Sequence, residues 1–211
     1  MNLISRQLRW FVLLILGLFM VAGCRLNQTP SAAQLPQTPA TAVAATSAAQ
    51  RESKTNVPPT PRLAVRIKAG SSSAVTDSQG HVWLADQGFS GGDNVERPDL
   101  VVTNAALPEI YRSEHYTMDS FSWPLANGNY VAKLHFCESF DGITGPGQRI
   151  FSFNVQGHEF KDMDVWAKAG GPNRAYIESV PVAITNGVFQ IVFTSNIENP
   201  QINAIEIVPQ P

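Results

Sequence analysis

The sequence has 211 residues, 44% of them hydrophobic and 15% charged, and a formal net charge of −2. So few clustered cations exclude a nucleic-acid backbone as partner, because phosphate binding needs grouped Lys and Arg. Two cysteines exclude a disulfide scaffold, and no four-ligand zinc spacing is present.

Arg6 and Arg9 give the chain a basic start, and an uncharged run rich in Leu, Ile, Val and Phe follows from Trp10 to Gly23. Its 14 residues fall short of the about 20 that a membrane-spanning helix needs. A basic start, a short apolar stretch and small residues at its end read as an export signal. The end, Met20-Val21-Ala22-Gly23-Cys24, resembles the lipobox of bacterial lipoproteins, in which a peptidase cuts before the cysteine and the thiol is lipidated. The resemblance implies a signal peptide over 1–23, a lipid anchor on Cys24, and a place on a membrane of the bacterial envelope. Arg25, where Asp would retain a lipoprotein at the inner membrane, points to the outer membrane in a host with two. Acyl chains bind at about 0.8 kcal/mol per buried methylene, and two or more give a stable anchor. An ordinary signal peptide with an incidental cysteine is the alternative.

Residues 25–62 contain eight Ala, six Pro, six Thr, four Gln and three Ser, with no aromatic residue. Such a segment cannot bury enough apolar surface to offset its ordering entropy, so 24–62 reads as a lipidated cysteine followed by a disordered tether. Its 38 residues after the cysteine reach roughly 30–40 Å as a coil and roughly 110–120 Å as polyproline II.

Residues 63–211 carry the fold. This length buries about 70% of its unfolded surface, enough for one core. The segment is acidic, which argues further against anionic partners. Strand periodicity is clear. Tyr130, Ala132, Leu134 and Phe136 alternate, as do Phe151, Phe153 and Val155, and then Phe189, Ile191 and Phe193; Asn203 to Ile207 closes the chain. Asn127-Gly128-Asn129, Gly142 to Gly147, Gln156-Gly157, Gly170-Gly171-Pro172 and Asn186-Gly187 are the breakers between them. Asn186-Gly187 between two apolar runs predicts a β-hairpin. No long segment has a helical period. The prediction is an all-β antiparallel sandwich of jelly-roll type.

The usual chemical motifs are absent. Gly142 to Gly147 lacks the Lys and Ser or Thr of a phosphate loop, and no nucleophile elbow surrounds a serine. The histidines show no metal spacing. His135 shares a strand face with Lys133 and reads as solvated. Cys137 reads as a buried, inert thiol. Asp162 and Asp164, two apart on an expected strand, share a face and read as a solvent-facing edge rather than a glycosidase pair. No ligand run marks a calcium site, and no cofactor is expected. What remains is a set of aromatic and polar residues near breakers: Tyr111 and Tyr116 around Arg112-Ser113-Glu114-His115, then Phe140 and Asp141, then Glu198-Asn199-Pro200. Sugars offer apolar C–H faces and hydroxyl edges, which aromatics and carboxylates on loops can meet. The same aromatics also read as core residues.

These runs resemble the malectin domain. The resemblance rests on Trp83-Leu84-Ala85-Asp86, Tyr111 to Tyr116, Tyr130 to Glu138, Phe151 to Val155 with Gly157, Lys161 to Val165, and Glu198 to Asn203, in order over 63–209. It implies a jelly-roll that binds glucose-containing oligosaccharide or polysaccharide without catalysis. It also implies the positions. Tyr116 and Phe140 would stack on sugar faces, and Glu198 would accept hydroxyl hydrogen bonds. Asp141 replaces the second aromatic of a pair, and Glu198 replaces an Asp. The loop Gly88 to Asn94 offers Phe89 or Asp93 where animal members supply another tyrosine. Glu114 and Glu138 recur in the pattern, as structural or binding residues. Malectin-like folds in receptors also bind peptides, so a protein partner of the envelope is the second reading, and a hydrolase the third. The sequence leaves the oligomeric state open.

Overall fold

The computed structural model describes residues 62–211. The expected signal peptide over 1–23, the lipidated Cys24 and the linker up to Pro61 lie outside the described residues. In chain order the strands are β1 (Val65–Lys68), β2 (Val75–Thr76), β3 (Val82–Trp83), β4 (Phe89–Ser90) and β5 (Asp93–Glu96). A 3-10 turn, Pro108–Tyr111, leads to β6 (Ser113–Tyr116), β7 (Ser120–Pro124), β8 (Gly128–Cys137), β9 (Ile150–Val155) and β10 (His158–Met163). A short helix, α1 (Val165–Ala169), precedes β11 (Ala175–Ile184), β12 (Val188–Ile197), β13 (Gln201–Ile202) and β14 (Ala204–Pro209).

Two antiparallel sheets make the sandwich, ordered β1-β14-β8-β11 and β10-β9-β12-β7-β4. The alternation in the sequence decides which faces meet. Tyr130, Ala132, Leu134 and Phe136 on β8 are buried, and so are Phe151, Phe153 and Val155 on β9 and Phe189, Ile191 and Phe193 on β12. The Phe136 ring lies 6.0 Å from Phe151 and 5.7 Å from Phe153 across the interface. Each such side chain contributes about 1.5–3 kcal/mol by leaving water.

The turn at Asn186-Gly187 differs from its expected role. Asn186-Gly187 joins β11 to β12, but these strands lie in opposite sheets and do not pair. Each strand aims its apolar face at the same core, so the chain crosses over instead of folding back. Gly187 N donates to Asn127 Oδ1 at 2.9 Å, bracing the crossover. The tight hairpin is β9–β10, where His158 pairs with Val155. Its loop residues Gln156 (φ 49) and Gly157 (φ 92) both take positive φ, as a type I′ turn requires.

His135 is not solvated. A second apolar cluster of Trp83, Ile110, Tyr111, Cys137, Ala175 and Ala204 covers the far face of β8 at its C-terminal end. His135 is 5% exposed, with Trp83 edge-on at 5.6 Å and the Tyr111 hydroxyl 2.9 Å from Nδ1. Burial pulls its pKa down to about 4, against the Glu206 carboxylate and with help from Lys133. Cys137 is buried as expected, and burial pushes its thiol up to about 12, out of the reactive range.

Asp162 and Asp164 do not share a strand face. Asp162 sits at an irregularity in β10 with φ 53, and Asp164 caps α1, accepting from Ala167 N at 2.9 Å.

At the other end of β8, Arg62 straps the chain to the sandwich. Its Nη1 donates to Asn127 O at 3.3 Å, its Nη2 to Gln210 O at 2.9 Å, and the guanidinium lies 5.2 Å from the Tyr130 ring centroid. Gly128 makes room, since a Cβ there would collide with Arg62 Nη1.

Candidate functional site

A small sheet, β13-β6-β5, stands at the end of the sandwich where β8 finishes. Its register sets Tyr116 opposite Asp93 on one side and Gln201 on the other, and Val95 opposite Glu114. Opposed residues share a face, so Val95, Glu114 and Tyr116 look the same way. The segment after β8 brings Phe140, the approach to β9 brings Arg149, and the segment after β12 brings Glu198 and Asn199. Together with Arg97 they line a cleft of about 360 Å3, within the range of ligand sites.

Two ion pairs build its floor. Arg97 Nη2 donates to Glu114 Oε1 at 3.1 Å, and Ser139 Oγ donates to Glu114 Oε2 at 3.2 Å. Arg149 Nε stands 3.0 Å from Glu138 Oε2, a contact of charges without hydrogen-bond alignment. Arg149 Nη1 also donates to Asn199 O at 3.2 Å, and its guanidinium lies 5.9 Å from the Phe140 ring centroid. One arginine therefore ties together a buried carboxylate, the Asn199 backbone and the rim aromatic. Glu138 is 1% exposed. Burial raises its pKa; Arg149 and the hydrogen bond from Phe140 N oppose this without reversing it.

The backbone around the cleft is held in unusual conformations. Glu198 (φ 59) and Thr117 (φ 62) both occupy the left-handed region, and Thr117 N donates to Pro200 O at 2.9 Å. Strained non-glycine residues of this kind persist only where their surroundings enforce them. Gly70 (φ 73) lets the chain pass directly behind β6, because a Cβ there would meet the Glu114 carbonyl. Behind Tyr116, His115 has acceptors at both ring nitrogens: Asp86 Oδ1 3.0 Å from Nδ1 and Gly91 O 2.9 Å from Nε2. Burial works against the charged ring, but these partners outweigh it and its pKa is raised.

Of the residues singled out in the sequence, the structure brings Tyr116, Phe140 and Glu198 to one cleft. Phe140 is 47% exposed at the rim, and Tyr116 is half-buried. Asp141, beside Phe140, is exposed to solvent and does not line the cleft. Asp93 is paired with Tyr116 on the same sheet face but stands beyond the lining. Phe89 points elsewhere, its ring stacked on His115 at 4.1 Å and tilted against Phe121 at 5.0 Å. Glu114 and Glu138 form the floor, Glu114 lining the cleft and Glu138 beneath Arg149. Sequence reasoning missed Val95, Arg97 and Arg149, and had Asn199 only as part of the Glu198-Asn199-Pro200 run. The available signal was Glu138, directly after the Leu134 to Cys137 end of a core strand, since a buried carboxylate needs a cation.

A family model described as Malectin domain matches residues 63–205. A probable leucine-rich repeat receptor-like serine/threonine-protein kinase of Arabidopsis thaliana is 30% identical over 102 residues, 44% of this chain and 10% of that protein. The chain spans about a tenth of the length of the curated relatives it matches. Among solved structures, a β-glucuronidase of Bacteroides uniformis superposes with a TM-score of 0.63 at 18% identity, over 71% of this chain and 18% of that one. The plant receptor-like kinase FER gives 0.62 at 17% identity, over 69% of this chain and 48% of that one. A complex of a plant peptide with FER gives 0.59 at 16% identity, over 69% of this chain and 48% of that one. At these identities the solved structures share the fold.

Proposed function

Because the chain belongs to the malectin domain family, we propose that it is a non-catalytic carbohydrate-binding module whose ligand enters the cleft between Tyr116, Phe140 and Glu198. The observation that carries this reading is the convergence of two accessible aromatic rings and a free carboxylate over a floor braced by Arg97–Glu114 and Arg149–Glu138. Ring faces take the C–H side of a sugar, Glu198 accepts from hydroxyls, and the arginine donors not used on the floor reach acceptor oxygens. Both Glu114 oxygens are occupied by Arg97 and Ser139, which suits a support better than an acid or base. Asp141 and Asp93 flank the opening and would contact a longer ligand, with Phe89 supporting through His115.

The run Met20 to Cys24 supports a further element of the proposal. Lipidation of Cys24 would display the module at a bacterial envelope, where glucose-containing glycans are candidate ligands. A peptide is the second reading, favoured by the fold shared with FER, of which a structure in complex with a plant peptide exists.

A glycan array carrying α- and β-glucans, xylans and peptidoglycan fragments tests the first reading. The full chain is expected to bind one sugar class, and Tyr116→Ala to weaken that binding by about 1–3 kcal/mol. Unchanged affinity in the folded variant would reject the cleft. Displacement of an envelope protein, but not of a glycan, would favour the peptide reading.

A further inference from the structure

The outer face of the β10-β9-β12-β7-β4 sheet carries a groove separate from the cleft. One hollow of about 370 Å3 is lined by Ser152, Asn154, Asp162, Thr194 and Asn196. A second of about 300 Å3 is lined by Asn154, Gln156 and Gln190. The two adjoin at Asn154 and Val192. Strand register explains the lining: Val192 stands opposite Asn154, Thr194 opposite Ser152, and Gln190 opposite Ser122. Hydroxyl and amide side chains thus form rows across three neighbouring strands.

Charge in the groove is confined to the edge strand β10, as Glu159, Lys161 and Asp162. A solvated surface ordinarily has about 25–35% charged residues. The outward positions of β7, β9 and β12 have none, in a segment rich in Asp and Glu. The edge strand β10 supplies Glu159 and Lys161, paired with each other at 3.3 Å. At one end the polar groups are fixed in a relay. Asn196 Nδ2 donates to Asp162 Oδ1 at 2.8 Å, Ser152 Oγ donates to Asn196 Oδ1 at 3.1 Å, and Asp162 N donates to Ser152 Oγ at 3.2 Å. Asp162 reaches this position from the irregularity in β10, with φ 53. Bulges re-aim side chains in this way, and a non-glycine residue adopts such a φ at a cost. Val192, 45% exposed, gives the middle of the groove an apolar spot.

We propose that this face is a second binding site, for an extended, uncharged, hydroxyl-rich chain, that is, a neutral polysaccharide. Amides and hydroxyls match hydroxyls in both donor and acceptor roles, while Val192 meets a C–H face. From Gln190 to Asn196 the groove runs roughly 20 Å along β12, longer than a single sugar ring. Lys161, the one cation lining the groove, is paired with Glu159 beside Asp162, which leaves no net positive charge to hold an anionic polymer. The exposed apolar residues of β12 stand singly among polar ones, unlike the apolar centre of a protein interface. The site is independent of the cleft, although β12 leads directly to Glu198.

Electrophoresis of the full chain through gels containing soluble β-glucan, α-glucan, xylan or polygalacturonate tests it. The chain should be retarded by a neutral polymer and not by polygalacturonate. Gln190→Ala with Thr194→Ala, and separately Val192→Lys, should weaken retardation about tenfold, as loss of one or two hydrogen bonds does, with unchanged melting temperature. Retardation should persist in Tyr116→Ala. Equal retardation of the groove variants, or none of the parent by any neutral polymer, would overturn the proposal. So would a change of sedimentation in Val192→Lys, which would assign the face to a second copy of the chain. Loss in Tyr116→Ala alone would reject the groove and assign the retardation to the cleft; loss in the groove variants alone would assign it to the groove and leave the cleft to the glycan array.

Discussion

Replacing Arg149 with Met is expected to destabilise the domain by about 3–5 kcal/mol at neutral pH, the cost of stranding a buried charge. Glu138 is the stranded group: its side chain is 1% exposed, and Arg149 is the cation against it at 3.0 Å. The same change takes the donor from Asn199 O and the guanidinium from the Phe140 ring, so the cleft loosens at two further points. The loss should shrink on acidification. Burial already raises the Glu138 pKa, and removal of Arg149 raises it further, so the carboxyl accepts a proton more readily and the stranded charge disappears. A second substitution, Glu138→Gln, should recover much of the stability at neutral pH. Urea unfolding at pH 7 and pH 5.5 reads all three effects. A single variant as stable as the parent at pH 7 would show that the pair carries no net weight.

The second large effect is on acid stability. His135 titrates near its ordinary value of about 6.5 in the unfolded chain and at about 4 in the fold, because burial disfavours the charged ring. Between those values the unfolded chain holds the proton and the folded chain does not. The stabilisation is therefore complete above about pH 6.5 and is lost progressively as pH falls towards about 4, amounting to about 3 kcal/mol. His115 and Glu138, whose pKa values are raised, work in the opposite sense, gaining relative stability as pH falls. The His135 contribution is accordingly read as a difference. His135→Gln, which can still meet the Tyr111 hydroxyl, should be less stable than the parent at pH 7 and should close that gap by pH 4. A gap that stays constant with pH would mean that His135 remains neutral in the unfolded chain or charged in the fold.

The layers of the sandwich were legible because period-two burial is local information. Each of β8, β9 and β12 states in its own residues which face is buried. Connections were not, because the Asn-Gly signal describes the turn and not the sheet that the next strand joins. Asn186-Gly187 turns as expected yet leads across the core, while the less marked Gln156-Gly157 makes the hairpin. His135 failed for a related reason. Alternation assigns it to the outer face correctly, but Trp83 and Tyr111, distant in sequence, cover that face. At the cleft, the aromatic and acidic residues were found through their setting near breakers and the family resemblance. The arginines were hidden because their role depends on partners far along the chain, Glu114 for Arg97 and Glu138 for Arg149.

The strap at Arg62 has a mechanical consequence. Arg62 engages the start of β8 at Asn127 and Tyr130, and the cleft begins where β8 ends, at Glu138 and Phe140. Ten residues of strand separate them, about 30 Å at the usual rise. Tension between the preceding chain and a ligand held in the cleft would therefore run lengthwise along β8. Its hydrogen bonds to β11 and β14 lie across that direction. They would bear the load together, in shear, instead of opening singly like the teeth of a zip.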